Sequence, residues 1–418
     1  MSFQQGISGL SATSKNLDVI GNNIANSATV GAKTSRIEFA DMYSSALGAG
    51  SGKQTGVGVA VAAVAQSFSQ GSVTSTSNPL DLAISGNGFF QVKTPDASVH
   101  YTRNGQFKLN RDGDIVNNQG DRLMGYAADA SGMVQSGQAQ PLRLKTTAIE
   151  PKATSTVDIT ANLDSRALIT KPLSGPNIDF ANAATYNNAT SVNAIDANGK
   201  DVVITSYFQK TAANAYDVYI TANGVPVGGP PVTKVTTITF DPTGATPLSP
   251  TTPLSVNIPA GTVVNGVGTL PINGLLIDMT TFTQFASPFG VTKLAQNGYT
   301  AGALSGVVVE SSGLIRANYS NGRTKSIGQI ELATFSNMNG LQPLGGNEWA
   351  TSINSGDPVL GVPGSGNLGT LQTSALEESN VDLTGELVNM MIAQRNYQAN
   401  AQTIKTQDQV LQTLVNLR

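Results

Sequence analysis

The sequence predicts an α+β fold in which long N- and C-terminal helices form a coiled coil, with two nested, mainly antiparallel β domains between them. Three observations lead there. Apolar residues recur at heptad spacing at both ends of the chain. In the interior they alternate at period two between strong turn signals. Charged residues make up only 12% of the 418 positions, about half the usual share.

At the N-terminus, Phe3, Ile7, Leu10, Leu17 and Ile24 follow a 4-3 repeat whose gaps fall at Ser14 and Gly21, the mark of a narrow helical seam. Val19 and Ile20 widen the stripe, and only Lys15 and Asp18 are charged. At the C-terminus, Leu383, Leu387, Met390, Tyr397, Ala401, Ile404, Leu411 and Val415 keep the same spacing, with Gln394 and Asp408 at polar seam positions. Ser379 and Asp382 offer capping groups. Gly385 costs about 1 kcal/mol relative to Ala inside a helix, so the helix starts or bends there.

A weakly charged helix of about 25 residues is marginal alone in water, so the two ends are expected to pair. Val19, Ile20, Met391, Ile392, Val410, Leu414 and Leu417 then remain outside the main seam, placed to meet neighbouring subunits. An intramolecular helical hairpin closing a monomer is the competing reading. A membrane-surface helix is disfavoured because the polar face lacks Lys and Arg.

The interior reads as strands. Val99 and Tyr101, then Phe107 and Leu109, flank Asn104-Gly105, which predicts a hairpin. Asp112-Gly113 supplies a turn before Ile115 and Val116. Asn198-Gly199, Asn223-Gly224, Asn297-Gly298 and Asn321-Gly322 continue the series, and the stretch 235–240 ends at Asp241-Pro242-Thr243-Gly244. Residues 44–58, rich in Ser, Gly and Ala, read as a linker or loose loop, and 343–369 connect the last strands to the C-terminal helix.

Composition narrows the function. A net charge of −3 gives no electrostatic footprint for nucleic acid, and no Lys/Arg cluster suits an anionic membrane. Cysteine is absent, which excludes disulfides and thiolate chemistry. The opening MSFQQGISGL lacks a basic and an apolar region, so no cleaved signal peptide is expected, and no apolar run suits membrane insertion. Catalytic candidates fail individually. His100 reads as a surface strand histidine. Gly48–Lys53 has the wrong glycine spacing for a phosphate loop, with Gln54 where Ser or Thr is needed. Asn110, Asp112 and Asp114 alternate like calcium ligands, but position 121 is Asp121 rather than Glu. No enzyme, metal or cofactor is expected.

Three blocks resemble the axial proteins of the bacterial flagellum, the family of rod, hook and hook-associated subunits. They run from Ser8 to Asn26, from Leu80 to Val92 with Tyr101–Phe107, and from Leu376 through Ala393–Asn400 to Leu417. The segment Leu341–Trp349 and the roughly 140 residues of β pattern between Glu150 and Pro288 are similar to the hook branch; the distal rod is the alternative. A surface adhesin or carbohydrate-binding β protein fits the middle alone, without explaining the helical ends.

The resemblance implies a homo-polymer in which Phe3, Ile7, Leu10, Leu17, Ile20, Ile24, Leu383, Leu387, Met390, Tyr397, Ile404, Leu411, Leu414 and Val415 build a helical core around a channel. It implies residues 1–30 and 375–418 as the terminal helical domain and 31–70 with 359–374 as a connecting segment. An inner β domain would take 71–147 and 289–358, and an inserted outer β domain 148–288. It further implies rod and hook-filament junction proteins, a hook cap and the flagellar type III export apparatus as partners, and an extracellular location. Ala32 stands where the family commonly has Phe.

Overall fold

The computed structural model describes residues 2–43, 56–129, 131–135, 137–144, 147–170, 178–229, 231–261 and 268–416. The Gly48–Lys53 loop lies outside them, as do the side chains of Leu414 and Val415 and all of Leu417. The chain divides into two compact units. The first comprises Met1–Thr146, Ser305–Asn318 and Thr324–Arg418; the second comprises Thr147–Leu304 and Tyr319–Arg323.

The first unit holds both long helices, α1 (Ser2–Ala25) and α2 (Leu383–Asn416). Asp382 caps α2 by accepting from Thr384 N at 3.0 Å, so Gly385 falls in the first turn, where a helix tolerates it best. The chain between the helices builds a branched thirteen-stranded sheet. Its core groups Leu82, Ile84, Phe90, Val92, Phe107, Leu123, Ile315, Ile330 and Leu332. A second core is aromatic, with Phe89, Tyr101, Phe335 and Trp349 in edge-to-face contacts, the arrangement that ring quadrupoles favour.

The second unit is a β-sandwich. One sheet orders Leu254–Ile258, Ile272–Asp278, Thr156–Asn162 and Gly290–Gln296; the other runs Asn188–Ile195, Asp201–Ala212, Ala215–Ala222, Thr236–Phe240 and Pro247–Ser249. Residues from both sheets, among them Ile159, Ile204, Phe208, Val218, Ile238 and Ile277, share one core. Burial alternates along Thr156–Asn162, as a sheet packed on one face requires. Because Gly290–Gln296 pairs with Thr156–Asn162, this unit continues past 288.

Most turn signals hold, and two do not: Asn297-Gly298 forms no turn, Asn297 Oδ1 instead accepting from Ser155 N and Thr156 N, and Asn104-Gly105 is the other. Asp112-Gly113 closes Lys108–Leu109 onto Ile115–Val116, with Asn110 Oδ1 accepting from the backbone of Asp112 and Asp114, so these residues form a turn. Asn104-Gly105 closes no hairpin. Val99–Thr102 pairs instead with Phe89–Lys93 and Glu348–Ala350. Gly105 is there for close approach: a Cβ on it would lie 1.6 Å from the Leu82 carbonyl oxygen, a contact only glycine permits.

Among the described residues, buried Glu331 has no ion-pair partner. Its Oε1 accepts from Tyr126 OH at 2.6 Å, and its Oε2 has no partner among the described residues. Burial raises its pKa above the ordinary carboxyl value, while Tyr126 and Tyr101 are pushed up to about 12, by burial first and by Glu331 second. Because the folded chain keeps this proton longer than the unfolded one, the Glu331 contribution falls as pH rises above about 4.5. Glu331→Gln keeps an acceptor for Tyr126 and cannot ionise. Its stability relative to the parent chain should therefore rise between pH 4 and pH 8 in denaturant titrations; a pH-independent difference would refute the assignment.

Candidate assembly interface

The helices α1 and α2 lie antiparallel. Gly6 faces Ile404, Gly9 faces Asn400, and Asn23 Nδ2 donates to Glu386 Oε1 at 3.2 Å, so rising numbers on one helix meet falling numbers on the other. Small residues make the approach close. A Cβ on Gly6 would sit 2.9 Å from Ile404 Cγ1, and one on Gly9 3.0 Å from Asn400 Nδ2. Buried Ala12 and Ala393 belong to the same kind of surface. Helix separation is set by the side chains at the contact, and here α1 offers glycine opposite the Ile404 and Asn400 side chains.

The expected seam is therefore out of phase with the contact. At 100° per residue, the line through Gly6, Gly9, Thr13, Asn16, Ile20 and Asn23 lies about 100° around α1 from the line through Phe3, Ile7, Leu10, Leu17 and Ile24. Phe3 and Ile7 are 41% and 46% exposed, whereas Leu10, Leu17 and Ile24 are half-buried. Ile20, expected outside the main seam, is buried. On α2, Met390 and Ile404 are half-buried, but Leu383, Leu387, Tyr397 and Leu411 are exposed, with Val388, Met391, Ile392 and Val410.

Part of the expected connecting segment is a third element of this surface. Strands β1 (Ser35–Tyr43) and β2 (Gly56–Gln66) form an antiparallel ribbon with two register shifts. It packs on α1, where Ser8 Oγ accepts from Val59 N at 3.4 Å and Asn23 exchanges two hydrogen bonds with Ser35. The alternation Val57, Val59, Val61 is the strand signal that Gly and Ala content obscured. Phe39, Met42, Val61 and Val64 project from the ribbon, 39–55% exposed. Gly9, Ala12, Thr13, Phe39, Ala399 and Asn400 line a notch of about 350 Å³ among the three elements.

Hydrogen bonds and buried charge hold this module to the β framework. Glu377 Oε1 accepts from Lys33 Nζ at 2.6 Å and from Gly71 N at 3.0 Å, and its Oε2 accepts from Arg103 Nη1 at 3.1 Å. Burial lowers the pKa of both Lys33 and Arg103, with Glu377 pulling the other way. Asn380 accepts from Thr34 N at 2.8 Å and donates to Ser67 O at 2.9 Å. Asn347 Nδ2 donates to Val30 O, and Trp349 Nε1 donates to Gln66 Oε1. Ala32, in the position of the expected Phe, is buried beside Lys33. His100 lies in a strand, half-buried: its Nδ1 is 2.8 Å from Glu348 Oε2, and Asn117 donates to the other carboxylate oxygen.

Comparison with known proteins assigns each of these regions. Residues 3–33 match the flagella basal body rod protein family and 83–164 the flagellar hook protein FlgE/F/G D1 domain. Residues 162–299 match the flagellar basal body protein FlaE D2 domain, and 372–417 the flagellar basal body rod FlgEFG protein C-terminal domain. The architecture is that of a flagellar rod- and hook-type axial subunit.

The chain is 42% identical over 420 residues to the flagellar hook protein FlgE of Salmonella typhimurium and 41% identical over 427 residues to that of Escherichia coli, each match covering 100% of both chains. The crystal structure of Helicobacter pylori flagellar hook protein FlgE2 shares the fold, with a TM-score of 0.53 at 14% identity, covering 73% of this chain and 100% of that one. This chain belongs to the flagellar hook protein family and is a structural subunit of the hook.

The helix register is open to a direct test, because the chain has no cysteine of its own. Gly9→Cys with Asn400→Cys should form an intramolecular disulfide on mild oxidation, read as a mobility shift. Ile7→Cys with Met391→Cys should not, since the antiparallel register separates them by about 18 Å along the axis. The reverse pattern would refute this antiparallel register.

Proposed function

We propose that copies of this chain self-assemble through the helical module into a hollow, flexible tube that carries motor torque from rod to filament. One observation carries the reading: a single copy leaves its large apolar side chains uncovered. Phe3, Ile7, Leu383, Leu387, Val388, Met391 and Ile392 are each 41–53% exposed. Fully burying such a side chain yields about 1.5–3 kcal/mol, so several kcal/mol await a partner surface. Close packing at Gly6 and Gly9, with the Asn23–Glu386 hydrogen bond, fixes the pairing inside each copy, and the exposed stripes then extend it between copies as coiled-coil seams. The notch at Gly9 and Ala12 suits an apolar side chain from the next copy.

In this arrangement the second unit lies on the outside of the tube, and contacts between outer units slide as the tube bends. The sparse charge of the chain favours sliding, since few ion pairs fix one register. Rod proteins, hook-filament junction proteins and the cap bound the tube at its ends. The subunit travels through the flagellar type III export apparatus to the outside of the cell.

Ile7→Asp and Met391→Asp change exposed positions, so thermal stability should stay within about 0.5 kcal/mol. Each should abolish tubes in electron micrographs taken at matched protein and salt concentrations. Normal tubes from both variants would overturn the reading.

A further inference from the structure

The cluster around Glu377 joins parts of the chain that are remote in sequence. Glu377 is 344 residues from Lys33 and 274 from Arg103, yet no side chain of the three is more than 2% exposed. Two cations share one carboxylate, so the cluster holds a surplus positive charge. Among the described residues Glu377 is the one acid paired with either cation. The other contacts are neutral: Lys33 Nζ donates to Ser69 O at 2.8 Å, Arg103 Nη2 to Gly86 O at 2.9 Å, and the Arg103 guanidinium lies over the Phe89 ring. A buried charge stripped of its partner is strongly destabilising, and here two like charges would be stripped together.

The backbone around the cluster has the same dependence. Val73–Ser75 pairs with Ala375–Glu377, and Leu82–Ser85 with Thr370–Thr373. Gly31 N donates to the Glu377 carbonyl at 2.9 Å. A Cβ on Gly71 would lie 2.0 Å from the Glu378 carbonyl oxygen, so the strands cross at backbone contact. Early segments of the first unit are thus completed only by late ones.

We infer that Glu377 is a closure lock: its arrival from the C-terminal end is what permits Lys33 and Arg103 to be buried, so the first unit cannot complete its packing ahead of its C-terminal segment. A chain threaded outward unfolded would be kept open by this device until its end had emerged. That use rests on the assembly reading; the lock itself does not.

The test uses the full chain, purified and kept below assembly concentration, so its outcome is independent of polymerisation. Glu377→Gln should lower the thermal midpoint by at least about 5 °C and strip hydrogen-exchange protection from residues 31–33, 73–75 and 103–105 together. Adding Lys33→Met, which removes the surplus cation, should recover much of both losses, an effect that a merely structural role for the Glu377 side chain would not produce. An unchanged midpoint in Glu377→Gln overturns the inference. So does a double variant no more stable than the single one. If Glu377→Gln does not fold, the double variant decides alone: recovery of a cooperative transition supports the lock, and none refutes it.

Discussion

Four stretches of chain meet at the carboxylate of Glu377: the exit from α1, the end of the β1–β2 ribbon, the loop carrying Arg103, and the strand that leads into α2. Each cation there is costly to leave without the carboxylate in a dry interior. The ion cluster is better understood as a constraint than as a source of stability. It fixes where both helices leave the sheet, and so how the helical module is presented.

That module distributes side chains in an unusual way. Gly6, Gly9, Ala12 and Asn23 of α1 and Ala393, Asn400 and Ile404 of α2 line the contact with buried Ile20, while Phe3, Ile7, Leu383, Leu387, Val388, Met391 and Ile392 stay exposed. A protein meant to remain a monomer would gain by the opposite choice, since exposed apolar patches invite association. The close small-residue contact sets one antiparallel register, with the Asn23–Glu386 hydrogen bond as a polar fixing. The large residues are then left free to act between copies. A heterologous contact repeated by one operator yields an open helical assembly when it does not close on itself.

Much of this was legible from residue order. Heptad spacing located both helices, and period-two alternation with Asn-Gly and Asp-Gly turns marked the interior as antiparallel β. The phase of the helical contact was not legible, because hydrophobicity weights Leu and Phe while close approach is decided by Gly6, Gly9 and Ala12. Gly105 misled for a related reason: glycine signals a turn and a tight crossing equally well, and only the position of Leu82 separates them. The Lys33–Arg103–Glu377 cluster could not be found from spacing at all, since its members share no local pattern. Strand β2 was obscured by its Gly and Ala content, despite its regular valines.

The central claim is that the small-residue face pairs the helices within a copy while the large apolar stripes are reserved for neighbours. Electron cryo-microscopy of the assembled tube at side-chain resolution tests it most directly. The account predicts that Phe3, Ile7, Leu387 and Met391 are buried between copies, with Gly6 still against Ile404 and Gly9 against Asn400. Helices re-paired within each copy along the large apolar seam, or stripes still facing water in the finished tube, would contradict it.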